Sequence, residues 1–210
     1  RYGEGYGALP EVSAELLYPF GHPYSWQTIG YTDDLDAATS EDLRNFFLKW
    51  YGPNNAILVI SGDVKSEEAI KMVEKYFSSI NKGPEVPALP KRPVTLEESK
   101  NLTLLAKVYA PLTSISYPTV ASYHPDEPAL QLLGALLSDG KNSELYKTFI
   151  KPENSLQAEA YNSSQEIAGE FNFIIVSYPM AGGGLNEKQV KDSLNAALER
   201  FEKNGIKDAD

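Results

Sequence analysis

Cysteine is absent from this 210-residue chain. That excludes disulfides, thiolate metal sites and a cysteine nucleophile, though it leaves the compartment open. Histidine is almost absent. His22 and His124 are the two there are, and their separation excludes an imidazole pair at helical spacing, so no ready-made zinc helix lies within the chain. Basic residues are outnumbered 29 to 19, for a net charge of −10. With no surplus to neutralise phosphates, nucleic acid and anionic membrane are poor partners. Long apolar runs are lacking too. The longest stretch free of charged residues, Val108 to Pro125, is broken by Pro111, Pro118 and Pro125 and falls short of the roughly 20 apolar residues of a membrane helix. Initiator methionine and a signal-peptide pattern are also missing at Arg1, which leads us to expect a processed protein or a piece of a larger one. Bacterial periplasm and cytoplasm both stay open.

What is present is 42% hydrophobic and 23% charged, the composition of a folded chain with a core. Thr39 or Ser40 caps a helix in which Leu43, Phe46, Phe47 and Trp50 recur at i, i+3, i+4 and i+7, one buried stripe ended by Gly52-Pro53. The apolar run Ala56–Ile60 reads as a strand covered on both faces. A helix capped by Ser66 follows, with Ile70, Val73, Phe77 and Ile80 in its stripe. Gly83, Pro84, Pro87, Pro90 and Pro93 then mark a stiff connector. Domains are expected over 1–82 and 95–210, joined by a linker at 83–94.

Beyond the connector, Leu102, Leu104, Ala106, Val108 and Ala110 alternate as a one-faced strand. Further strands are expected over Ser114–Tyr123, Leu156–Asn162 and Phe171–Tyr178. Helices are expected after Asp126, from Ser143, and from a capping box of Asn186 with Gln189, the last with a Val190, Leu194, Ala197, Phe201 stripe. The order β-β-α-α-β-β-α implies an α+β fold, a two-layer sandwich of one antiparallel sheet with helices on one face.

Chemistry-bearing motifs are sparse. The Gly-rich stretch 181–185 lacks the Lys-Ser/Thr of a phosphate loop. Glu67-Glu68 and Glu97-Glu98 are sequence neighbours whose side chains diverge. Asn101-Leu102-Thr103 and Asn162-Ser163-Ser164 match a glycosylation pattern that often arises by chance. The aromatic loop His22-Pro23-Tyr24-Ser25-Trp26 reads either as a packed turn with a satisfied histidine or as the lining of a cleft; His124 reads as a surface turn. Residue by residue, no complete catalytic apparatus is present.

Taken together, His22-Pro23-Tyr24, Thr28-Ile29-Gly30, Thr39–Leu43, Trp50–Ala56, Val59–Val64, Leu133–Leu137, and Ser143-x-Leu145-Tyr146 with Phe171–Tyr178 resemble the insulinase/pitrilysin-like zinc metallopeptidase family, which includes the mitochondrial processing peptidase subunits. The resemblance runs over nearly the whole chain. It implies a parent zinc endopeptidase that encloses peptides or small unfolded polypeptides between two similar halves, this part forming chamber wall and docking surface. The family's inverted His-x-x-Glu-His helix, its general-base glutamate and its distal zinc ligand are not here, so this chain is expected to bind no zinc and to hydrolyse nothing; the parent would carry the metal. Catalytic and metal residues within the chain are therefore none. His22, Tyr24, Trp26, Ser143 and Tyr146 are the candidate substrate-binding residues. The arginine and tyrosine that bind substrate backbone in non-catalytic halves are replaced, counting from Leu145, by Ile150 or Lys151 and by Gln157, with Tyr161 reachable by a shift. That favours a piece of a catalytic half. A non-catalytic partner or scaffold subunit is the alternative, and a plain peptide-binding module a third. Expected partners are the peptide substrate, a homologous second half and, through an unpaired Ala56–Ser61 edge, a second copy of the chain.

Overall fold

The computed structural model describes residues 5–179 and 182–205. The chain divides into two compact units. One joins the residues up to Thr28 with those from Pro90 onward, and the other is Ile29–Leu89. The second boundary falls within the proline-rich connector, while the segment before Thr28 belongs with the C-terminal unit.

The Ile29–Leu89 unit contains α2 (Thr32–Ala37), α3 (Ser40–Trp50), a 3-10 turn at Pro53–Asn55 and α4 (Ser66–Phe77). The local capping signal holds for α3 and not for α4. In α3, Thr39 and Asp42 form a reciprocal capping box and Lys49 sits in the last turn. In α4 the cap position is Lys65 and Ser66 is the first helical residue. The apolar stripes, however, are not buried. Leu43, Phe46, Phe47, Ile70 and Phe77 are all exposed, and no residue of this unit is buried. Ala56–Ile60 is not a strand: it joins no ladder, and Ile57 is 94% exposed. A strand exists only against a neighbour, and this unit supplies none.

The other unit opens with α1 (Leu9–Leu17) and continues through β1 (Leu112–Thr119), α5 (Glu127–Ser138), β2 (Ser155–Ser164), β3 (Gly169–Ser177) and α6 (Glu187–Asn204). The strands form one antiparallel sheet in the order β1-β3-β2, so the α+β fold with its antiparallel sheet holds. Leu102–Ala110, expected as a strand, is irregular instead, with Leu102, Leu104, Leu105 and Tyr109 exposed; the alternation is there but no neighbouring strand pairs with it. The helix expected from Ser143 is a π-helical turn, Tyr146–Ile150. The 181–185 loop lies partly outside the described residues.

Because β3 is central, its alternate residues face two environments. Phe171, Phe173 and Ile175 point into a core completed by Leu137 of α5, Leu145 and Phe149 at the π-helical turn, Ala160 of β2, and Val190 and Leu194 of α6. Fully burying each large side chain is worth about 1.5–3 kcal/mol. Helix α5 lies directly on β2: a Cβ on Gly134 would come within 3.0 Å of the Ala160 carbonyl oxygen, and Ser138 Oγ donates to the same oxygen at 3.1 Å. The α6 capping box and its Val190, Leu194, Ala197 stripe are as the spacing requires.

Candidate functional site

The residues of β3 that alternate with the core set, Glu170 and Asn172, lie on the opposite face of the sheet. Register places Ser116 of β1 and Tyr161 of β2 on either side of Asn172, and Ser163 beside Glu170. Ser116 Oγ donates to Asn172 Oδ1 at 2.5 Å. Asn172 is 5% exposed, and its Nδ2 has no partner among the described residues. The hydroxyl of Tyr18, at the end of α1, is likewise buried and unpartnered.

Charge on this face is electrostatically constrained. Burial pushes the Glu170 carboxyl above its ordinary value. Burial also raises Tyr18, with the charge of Glu170 and then Tyr24 adding to it. Tyr161 is raised by burial, then by Glu170 and Glu159. A carboxyl raised in the folded state stabilises the fold while it is protonated, and that contribution is lost as pH rises through its folded value. Glutamine cannot ionise. Glu170→Gln should therefore raise Tm at about pH 8 and lose most of that advantage at about pH 4. Thermal melts at the two pH values check this; an equal drop at both would show that the carboxylate does not strain the sheet.

The aromatic loop lies in the same unit. His22 is 5% exposed, with both ring nitrogens bonded: Nδ1 to the Tyr24 amide and Nε2 to the Arg92 carbonyl, each at 3.1 Å. Tyr18 and Tyr24 pack on its ring, with centroids 4.7 and 5.3 Å away. The Tyr24 hydroxyl accepts from the Ile167 amide at 3.2 Å, and Trp26 is exposed. The loop is thus fixed against the turn between β2 and β3. Ser143 and Tyr146 sit elsewhere, at the end of α5. There Ser143 Oγ donates to the Gly140 carbonyl and accepts from the Tyr146 amide, capping the π-helical turn, and Ser143 lines an open groove of about 420 Å³ with Leu132, Lys147 and Phe201. So the structure groups His22 and Tyr24 with Tyr18, and separates them by element from Ser143 and Tyr146. The spacing of Glu170 and Asn172 signals one strand face, but Tyr18, more than a hundred positions away, could only be joined to them by the fold.

Among the described residues no group of three or more His, Asp or Glu is placed to hold a metal ion. Both His22 nitrogens are committed, and His124 Nδ1 accepts from the Asp126 amide at 3.2 Å. Among the described residues no helix is long and apolar enough to cross a membrane.

This fold is matched by a known family. The profile of the peptidase M16 inactive domain covers residues 37–210. The chain belongs to that family. It is 30% identical over 196 residues to the zinc protease PqqE of Helicobacter pylori, an alignment taking in 90% of this chain and 43% of PqqE. The crystal structure of a protease from Helicobacter pylori superposes with a TM-score of 0.76 at 27% identity, covering 98% of this chain and 49% of that one. The peptidase M16 inactive domain from Pseudomonas fluorescens shares the fold, with a TM-score of 0.73 at 16% identity, over 98% of this chain and 48% of its own. This M16 chain therefore spans about half the length of these three relatives, and it is related to zinc proteases and to the M16 inactive domain.

Proposed function

We propose that the chain is the non-catalytic part of an M16 zinc endopeptidase and forms chamber wall and substrate-docking surface. The observation that carries this reading is its near-complete alignment with less than half of a zinc protease, in a unit whose described residues offer no metal-binding group. Zinc in such a protease supplies a Lewis acid that activates water; this chain's contribution is to hold the peptide. The sheet face opposite the core carries Glu159 and Tyr161 of β2, both exposed, beside the half-buried Glu170 of β3, a lining suited to an extended polypeptide with basic side chains. Tyr24, bonded through its amide to His22, and the exposed Trp26 extend the docking surface, and Ser143 and Tyr146 form a second contact region.

The purified chain is expected to retain less than stoichiometric zinc by elemental analysis and to leave a quenched fluorogenic peptide uncut, while the longer parent cleaves it. Stoichiometric zinc together with chelator-sensitive cleavage by the 210-residue chain would overturn the assignment. Amide shift changes on adding a basic peptide, confined to β2, β3 and the Tyr24–Trp26 loop, are the expected docking signature.

A further inference from the structure

At the entry to β2 the ordinary sorting of side chains is inverted. Ser155 is 3% exposed, while its neighbour Leu156 is 41% exposed. Strand pairing accounts for the exchange. Ala158 and Ala160 lie opposite Ile175 and Phe173 on the core side, so strict alternation would turn Leu156 inward, opposite Ser177. The ladder instead shifts register between Ser155 and Gln157, and Ser155 stands opposite Ser177. A bulge of this kind adds one residue to one strand and re-aims those beside it. Leu156 is the residue added, and Ser155 takes the core-facing place. Ser177 shares that face, because it continues the alternation of Phe173 and Ile175 along β3. The backbone is strained just before the bulge. Glu153 adopts φ +60°, a left-handed conformation that is unfavourable for a residue with a Cβ, and its amide closes a turn on the Ile150 carbonyl at 3.0 Å.

Once inside, the serine meets no protein partner. Ser155 Oγ and Ser177 Oγ are buried and unbonded among the described residues, and so is Asn154 Oδ1 one position earlier. Ser177 is 1% exposed. The backbone amides nearby are already committed: Ser177 donates to the Pro111 carbonyl at 2.9 Å, and Tyr178 donates to the Asn154 carbonyl at 3.2 Å. Buried polar groups left without a bond are destabilising. Residues directly opposite in an antiparallel ladder have Cβ atoms about 4.5–5.5 Å apart, a separation that one small molecule spans between two hydroxyls.

We propose that Ser155 and Ser177 hold a structural water at this end of the β2–β3 ladder, with Asn154 Oδ1 as its third partner. Each hydroxyl can donate or accept, the amide oxygen accepts, and water does both. One molecule making the customary three bonds therefore satisfies all three oxygens. A metal cation suits the place less, since the three oxygens are neutral and an uncompensated charge is far more costly to bury than a water. The water fastens the strained turn to β3 at the point where the ladder is irregular. It lies on the core side of the sheet, so it does not depend on the docking function proposed above.

Two measurements on the 210-residue chain test this. Ser177→Ala leaves the water one partner short, so the opening constant of β3 read from amide exchange should rise about threefold or more; Ser155→Ala should do the same. Changing both to alanine releases the water with the hydroxyls, and the combined rise should fall short of the product of the two. Without the water, each alanine would remove an unbonded hydroxyl and slow the exchange. A smaller rise, slower exchange or effects that simply multiply overturns the proposal. Oxygen-17 relaxation dispersion supplies the second readout by counting long-lived internal waters. The double variant should hold one fewer than the unmodified chain, and equal counts overturn the site. Should that variant not fold, a crystal structure of the unmodified chain decides: density within about 3 Å of both Oγ atoms is expected, and none there overturns it. An opening constant that changes when sodium replaces potassium at equal ionic strength would identify a cation instead and overturn the water.

Discussion

Replacing Phe149 by alanine is expected to cost the sheet-bearing unit about 3–5 kcal/mol. Phe149 sits on the π-helical turn with no exposed surface and belongs to the cluster that joins Leu137, Leu145, Phe173, Ile175 and Leu194. The turn is its sole tether: Phe149 fills the space where helix α5, the sheet and α6 meet, and neither a helix nor a strand can move in to close the cavity without breaking its own ladder. Loss on this scale is a large part of the stability of a domain. Because the chain has two units, the measurement should follow β3 amides by denaturant-dependent exchange rather than a whole-chain melt. A cost under about 1 kcal/mol would mean that the core collapses around the truncation, contrary to the packing described.

Gly169→Ala should be nearly as damaging, at about 3 kcal/mol, for the opposite reason. Gly169 starts β3 opposite Thr119 and Ser164. A Cβ there would overlap the Val120 carbonyl oxygen and lie 3.0 Å from Thr119 Oγ1. The main obstacle is backbone, so no rotamer change relieves it; β1 or the β2–β3 turn has to shift. That shift would loosen the Ser122 amide from the Gln165 carbonyl, now at 2.8 Å, and the Arg92 amide from Ile167. Circular dichroism with exchange at Ser122 and Arg92 checks the result. Gly182, which has open space around its Cβ position, is the matched control, and Gly182→Ala is expected to leave stability unchanged within about 0.5 kcal/mol.

Family membership was readable from ordered short motifs, none of them decisive alone, and the alignment with an M16 inactive domain agrees with them. Helices were readable where capping chemistry is local. Thr39 with Asp42 and Asn186 with Gln189 each close a box across three residues, so their signal survives whatever the rest of the chain does. Periodicity was a less complete guide. In α6 the stripe is buried because β3 and the π-helical turn stand opposite; in α3 an equally good stripe is exposed because the Ile29–Leu89 unit has no surface to meet it. Ala56–Ile60 and Leu102–Ala110 have the composition of strands and are not strands, since a ladder is a property of two segments and a sequence pattern describes one.

The site divides in the same way. Glu170 and Asn172 share a face by the period of the strand alone, and the two-sided reading of His22 was open in its own loop. Which reading applies depended on partners far away in the chain. The Arg92 carbonyl accepts from His22 Nε2, the Ile167 amide donates to the Tyr24 hydroxyl, and Tyr18 approaches Glu170 across more than a hundred and fifty positions. Thus the sequence by itself determined the composition limits, the capped helices, the strand phases and the family. Only the tertiary structure decided which apolar faces are covered, which apparent strands find a neighbour, and which polar side chains lose their water together. Those three depend on contacts between distant segments, and a hydrogen bond or a buried surface has no energy until both sides are present.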